Sequence, residues 1–101
     1  METICLLSII VSPAIEDTIV DWLLDREEIP GFTSAPIYGH GSSIHSLSTQ
    51  EQVSGRKKQV LFQIHMPSAD ADTVLQTLKR EFQDSGMHYW ILPVSDAGHL
   101  E

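Results

Sequence analysis

GFTSAPIYGHGSSIHS, residues 31–46, changes character halfway along. Phe32 to Tyr38 alternates like a strand, and from Gly39 onward the pattern gives way to glycine, serine and histidine. No core pattern returns until about Val60. The strand contains Pro36, and a proline removes one hydrogen bond from a β-ladder, so it belongs at a sheet edge. The same argument applies to MHYWILPV (87–94), which carries Pro93. TICLLSIIV (3–11) and KQVLFQIHM (58–66) are free of proline and read as central strands. Between the first two strands, Ser12-Pro13 opens a helix whose Ile15, Ile19, Trp22 and Leu23 recur at helical spacing, and Pro30-Gly31 is expected to close it. Pro67-Ser68 opens a second helix, with Val74, Leu75, Leu78 and Phe82 as its apolar stripe and Gly86 placed to end it. The order βαββαβ predicts an α+β, ferredoxin-like sandwich. Its four-stranded antiparallel sheet has the order 4-1-3-2, with both helices on one face. The opposite face then carries one of the two alternating sets of strand four, His88, Trp90 and Leu92 or Met87, Tyr89 and Ile91. Either set is too apolar to leave in water, which predicts association.

The 101 residues make one domain, with 42% hydrophobic and 20% charged side chains, ordinary for a globular protein. The longest apolar run is too short to span a membrane, and METICLLSII lacks the basic start and cleavage site of a secretory signal. The single cysteine, Cys5, sits in an apolar strand and fits a reducing cytoplasm. A net charge of −8, with Arg56-Lys57-Lys58 as the one basic cluster, argues against nucleic acid and anionic membrane as partners. Leu100-Glu101 reads as a cloning scar and is given no role.

The spacing Gly31-x-Thr33-x-x-x-Ile37-x-Gly39-x-Gly41 resembles the end of the second strand in PII signalling proteins, where the strand leads into a long mobile T-loop. WILPVSDA (90–97) is similar to the end of PII strand four, and the resemblance covers nearly the whole chain. EIPGFTSAPIYGHG (28–41), EQVSGR (51–56) and HYWILPV (88–94) look like a small uncharacterised PII-like branch encoded beside heavy-metal efflux pumps. The resemblance implies a homotrimer, a mobile T-loop over 42–57, a C-terminal tail over 95–101, and a ligand cleft between subunits flanked by Thr33, Gly39, Gly41 and His88. On physical grounds, Gly39 and Gly41 would permit positive φ and close approach of another chain or a phosphate.

Where PII proteins hold ATP, this sequence departs from them. Ser43 stands in place of a glutamine, Met87 and His88 replace a Gly-Lys pair, and no arginine follows strand four. Three charge-assisted phosphate contacts are missing, so ATP is disfavoured as a ligand. The tyrosine that is uridylylated in PII loops is absent from 42–57. Histidine takes the lysine's place, and in a PII-like trimer His40 and His45 would approach His88 across a subunit boundary, with Glu51 or Asp84 as an oxygen ligand. Imidazole suits Zn²⁺, Cu²⁺ or Ni²⁺. No HxxxH or HExxH pair is present, so no metal motif lies within one chain. On the residues alone, His65 and His88 also read as strand-end caps, His45 as a solvated loop residue and Cys5 as a core thiol. The leading expectation is a non-enzymatic trimeric sensor that binds a small ligand or metal between subunits and engages an efflux-system protein through 42–57. The alternative is a CutA-like metal-tolerance protein in which metal binding is itself the activity. An acylphosphatase-like enzyme is disfavoured, because Val11-Ser12-Pro13-Ala14 offers no arginine-bearing phosphate loop.

Overall fold

The computed structural model describes residues 3–41 and 56–100. These form β1 (Ile4–Val11), a 3₁₀ turn (Pro13–Ile15), α1 (Glu16–Leu24), β2 (Thr33–Gly39), β3 (Lys57–Pro67), α2 (Ser68–Glu81) and β4 (His88–Val94). The four strands make one antiparallel sheet of order β2-β3-β1-β4, the expected order read from the other edge. Pro36 and Pro93 lie inside its two edge strands, whereas central β3 meets a proline only at its last residue, Pro67.

Two-residue alternation sorts each central strand into a core row and an outer row. Cys5, Leu7, Ile9 and Val11 of β1 and Val60, Phe62, Ile64 and Met66 of β3 are buried. They form one cluster with Ile19 and Leu23 of α1 and with Ala71, Val74 and Leu78 of α2. Both helices therefore cover one face of the sheet. Cys5 is a buried free thiol, as expected for a core position.

Strand four settles its own ambiguity. Met87 and Ile91 pack against the core, so the set left on the open face is His88, Trp90 and Leu92. The register lays out cross-strand rows on that face: Thr33–Gln63–Ser8–Trp90, Ala35–Leu61–Ile10–His88, and His65–Leu6–Leu92. Trp90 is 41% exposed and Leu92 50%, and no helix among the described residues covers them.

The helix boundaries differ from the sequence reading. Ser12 caps as expected, its Oγ accepting from the Ala14 N–H at 3.3 Å, but the turn it opens is 3₁₀ and the α-helix starts only at Glu16. α1 then stops at Leu24 rather than running to Pro30-Gly31. Short turns follow, with the Arg26 N–H donating to the Leu23 carbonyl and the Ile29 N–H to the Arg26 carbonyl, both at 3.2 Å. They let Ile29, 8% exposed, drop back into the core. Pro30-Gly31 thus prepares β2 instead of closing α1. At the second helix, Glu81 is the last helical residue and the reversal into β4 uses Asp84 at φ 67° and Gly86 at φ 75°.

Candidate functional site

β2 delivers Thr33 to the open face directly opposite Gln63 of β3. Two residues further along β3 lies His65, opposite Leu6 of β1. These side chains border a groove of about 390 Å³ whose wall is completed by Gly31 and by His99 of the C-terminal tail. β1 lies between β4 and β3, so residues 95–99 traverse the width of β1 to bring His99 there. No Lys, Arg, Asp or Glu occurs among the described residues that line the groove. It offers two imidazoles, a hydroxyl and an amide over an apolar floor. A second, smaller groove of about 190 Å³ lies on the helix side, between Leu75, Leu78 and Phe82 of α2 and Met87 and Tyr89 at the start of β4. There the Lys79 ammonium sits 4.9 Å from the centre of the Tyr89 ring.

Within one chain the residues expected to flank the inter-subunit cleft stand apart. Thr33 lines the groove; Gly39, Gly41 and His88 do not. Gly39 ends β2 opposite Lys57, at the other end of the strand from Thr33. His40 follows the β2 edge, while His88 opens β4 at the opposite edge, paired with Ile10. Three strand spacings of about 4.8 Å separate the two edges, so His40 and His88 of one chain cannot share a metal ion. Their meeting would need a second chain, as the sequence reading specified. His45, Ser43, Glu51 and most of the proposed loop lie outside the described residues. Of the residues that are described, Lys57 belongs to β3 and the Arg56 guanidinium stacks 4.0 Å from the centre of the Tyr38 ring. No cluster of three or more His, Cys, Asp or Glu occurs among the described residues.

Of the two uses expected of Gly39 and Gly41, positive φ is not seen at either. Among the described residues, positive φ occurs at Asp84 and Gly86 and at neither Gly39 nor Gly41. At Gly39 a Cβ would run into the Gln59 side-chain oxygen and come within 3.2 Å of its Cδ. The close approach is therefore internal, a β3 side chain lying across the β2 backbone. Gly41 has open space around it.

His65, Gln63 and His99 are the groove residues that sequence reasoning missed. Gln63 and His65 were visible as the outer row of β3, and pairing that row with Thr33 would have located them. Nothing in the sequence pattern signals that His99 folds back.

The fold is that of the PII-like proteins. Its architecture matches CPII, a nitrogen regulatory PII-like protein from Thiomonas intermedia K12 solved with ADP, AMP and bicarbonate (TM-score 0.70, 18% identity, 97% of each chain). It also matches a Bacillus subtilis GlnK–ATP complex (TM-score 0.68, 16% identity, 94% of this chain and 85% of that one). The chain belongs to the DUF3240 family, a protein family of unknown function, whose pattern it matches over residues 1–101. A DUF3240 protein from Shewanella baltica OS155 has the same structure at a TM-score of 0.80, with 29% identity over the full length of both chains. Comparison with curated proteins gives no match.

Proposed function

We propose that this protein is a PII-like regulatory protein. It works as a cytoplasmic, non-enzymatic homotrimer that binds a small ligand or metal ion in clefts bordered by the open sheet face and engages a protein partner through residues 42–57. The observation that carries this reading is the open face itself. It combines exposed Trp90 and Leu92, which call for association, with a groove around Thr33 that can hold a ligand. The nucleotides named for the Thiomonas and Bacillus proteins support ligand binding as the use of this fold.

The ligand differs in charge from a nucleoside triphosphate. Neither the groove lining nor position 88 supplies a permanent cation to meet a polyphosphate. A metal ion or a ligand of little charge suits them better, in keeping with the proposed link to heavy-metal efflux. In the trimer, His40 and His45 of one subunit meet His88 of the next. No helix among the described residues is long and apolar enough to cross a membrane.

Calorimetric titration with ATP, ADP, AMP, Zn²⁺, Cu²⁺ and Ni²⁺, on protein whose mass is measured by light scattering, tests the reading. A trimer that binds a metal ion or a low-charge ligand and takes up ATP weakly is expected. Tight, magnesium-dependent ATP binding that is unchanged in His88→Ala would return the protein to ordinary nucleotide sensing.

A further inference from the structure

The groove beside Thr33 contains a pair of histidines that the fold assembles from two distant parts of one chain. His65 comes from the outer row of β3 and His99 from the tail beyond β4, and both line the same cavity. We propose that His65 and His99 form a transition-metal site within a single chain, with the Thr33 hydroxyl and the Gln63 amide oxygen as supplementary donors. This deepens the metal-binding reading given above and rests on it for its role, though all four donors come from one chain.

The donor set decides the class of metal. Ca²⁺ and Mg²⁺ take oxygen ligands, chiefly carboxylates, and none lines the groove among the described residues. Imidazole nitrogens instead suit Cu²⁺, Ni²⁺ and Zn²⁺, with Cu²⁺ bound most tightly by a given nitrogen site. No lysine or arginine stands in the lining to repel a cation. A chain of net charge −8 raises the cation concentration around itself. Two imidazoles leave coordination positions open for Thr33, Gln63 or solvent, as in an exchangeable site rather than a closed structural one. The His65–metal–His99 link would also pin the tail to β3, so that occupancy changes the surface presented at the end of β4. That is a means of signalling occupancy.

The site is tested on protein free of any histidine tag, with Cu²⁺ as the probe. On a His40→Ala/His88→Ala background, which removes the proposed inter-subunit histidines, one Cu²⁺ per chain is expected, with an electron paramagnetic resonance spectrum showing two equatorial nitrogens. His65→Ala and His99→Ala should each weaken binding by more than tenfold and remove one nitrogen from the spectrum. Both side chains are exposed, so neither substitution should disturb folding. Hydrogen exchange of residues 95–100 should slow on adding Cu²⁺ to the wild type and stay unchanged in His65→Ala. Binding that survives both substitutions would overturn the proposal. So would binding lost in His40→Ala or His88→Ala but kept in His65→Ala, an outcome that leaves the inter-subunit reading of the protein standing.

Discussion

Trp22 shows how much one residue can hold together between the helices. Its indole N–H donates to the Glu81 carboxylate at 2.6 Å, its ring meets Phe82 edge-on at 6.0 Å, and the Arg26 guanidinium lies 4.1 Å from its ring centre. Trp22→Phe keeps most of the ring contact and loses the hydrogen bond, a cost of about 1 kcal/mol. Trp22→Ala loses the packing as well and should cost about 2–4 kcal/mol for this half-buried site. Urea denaturation of the two variants checks the order; equal losses would show that the ring contributes little. Ser8 is the opposite case. Its side chain is fully buried in the outer row of β1, and its hydroxyl has no hydrogen-bond partner among the described residues. A buried, unpaired hydroxyl carries a desolvation penalty of about 1–3 kcal/mol, so Ser8→Ala should leave stability unchanged or raise it by up to about 1 kcal/mol. A drop in melting temperature would mean that the hydroxyl is satisfied in solution, by water or by a neighbouring chain. At this scale the sequence was a partial guide. Thr33 stood out in the sequence because its spacing to two glycines is distinctive, and it lines the groove. His65 and His99 were not, because sharing a groove depends on strand register and on the path of a tail that carries no periodicity.

At the scale of elements, the central strands were the easiest to read and the connections the hardest. β1 and β3 announce themselves by β-branched runs without proline, and Pro36 and Pro93 mark the edges, so the strand order followed from four segments. The end of α1 was misplaced because Pro30-Gly31 is a strong breaker signal, while the actual stop is set by tertiary demand: Ile29 must return to the core. The turn from α2 into β4 depends on backbone geometry that Gly86 supplies. Gly86 has φ 75° and nothing within 4 Å of where a Cβ would stand, so a side chain there meets no neighbour and strains only the backbone. Gly86→Ala should therefore cost about 1–2 kcal/mol. Gly39→Ala, where only a flexible glutamine side chain must move, should cost less. Thermal unfolding of the pair checks the ranking, and a larger loss at position 39 would place the strain at the foot of β2 instead.

For the whole molecule, the sheet is finished on one side only. The helices seal the inner rows of β1 and β3, whereas the outer rows place Ile4, Leu6, Ile10 and Leu61 beside Trp90 and Leu92 without a covering layer among the described residues. In the proposed trimer this face is where subunits meet, and Leu92 is a discriminating place to test it. It is 50% exposed in the single chain, so an aspartate there stays hydrated in a monomer and the fold survives. In an assembly the same carboxylate would be buried among apolar side chains with no cation to pair with, at a cost of several kcal/mol per subunit. Leu92→Asp is therefore expected to convert the trimer to a folded monomer, seen as a threefold drop in mass by light scattering with an unchanged far-ultraviolet circular dichroism spectrum. Leu24→Asp is the matched control. Leu24 is 70% exposed but lies at the end of α1, away from the open face, and its replacement should leave the mass unchanged. A wild-type monomer at micromolar concentration would refute assembly through this face, as would a Leu92→Asp variant that remains trimeric. Dissociation by Leu24→Asp alone would move the interface to the helix side.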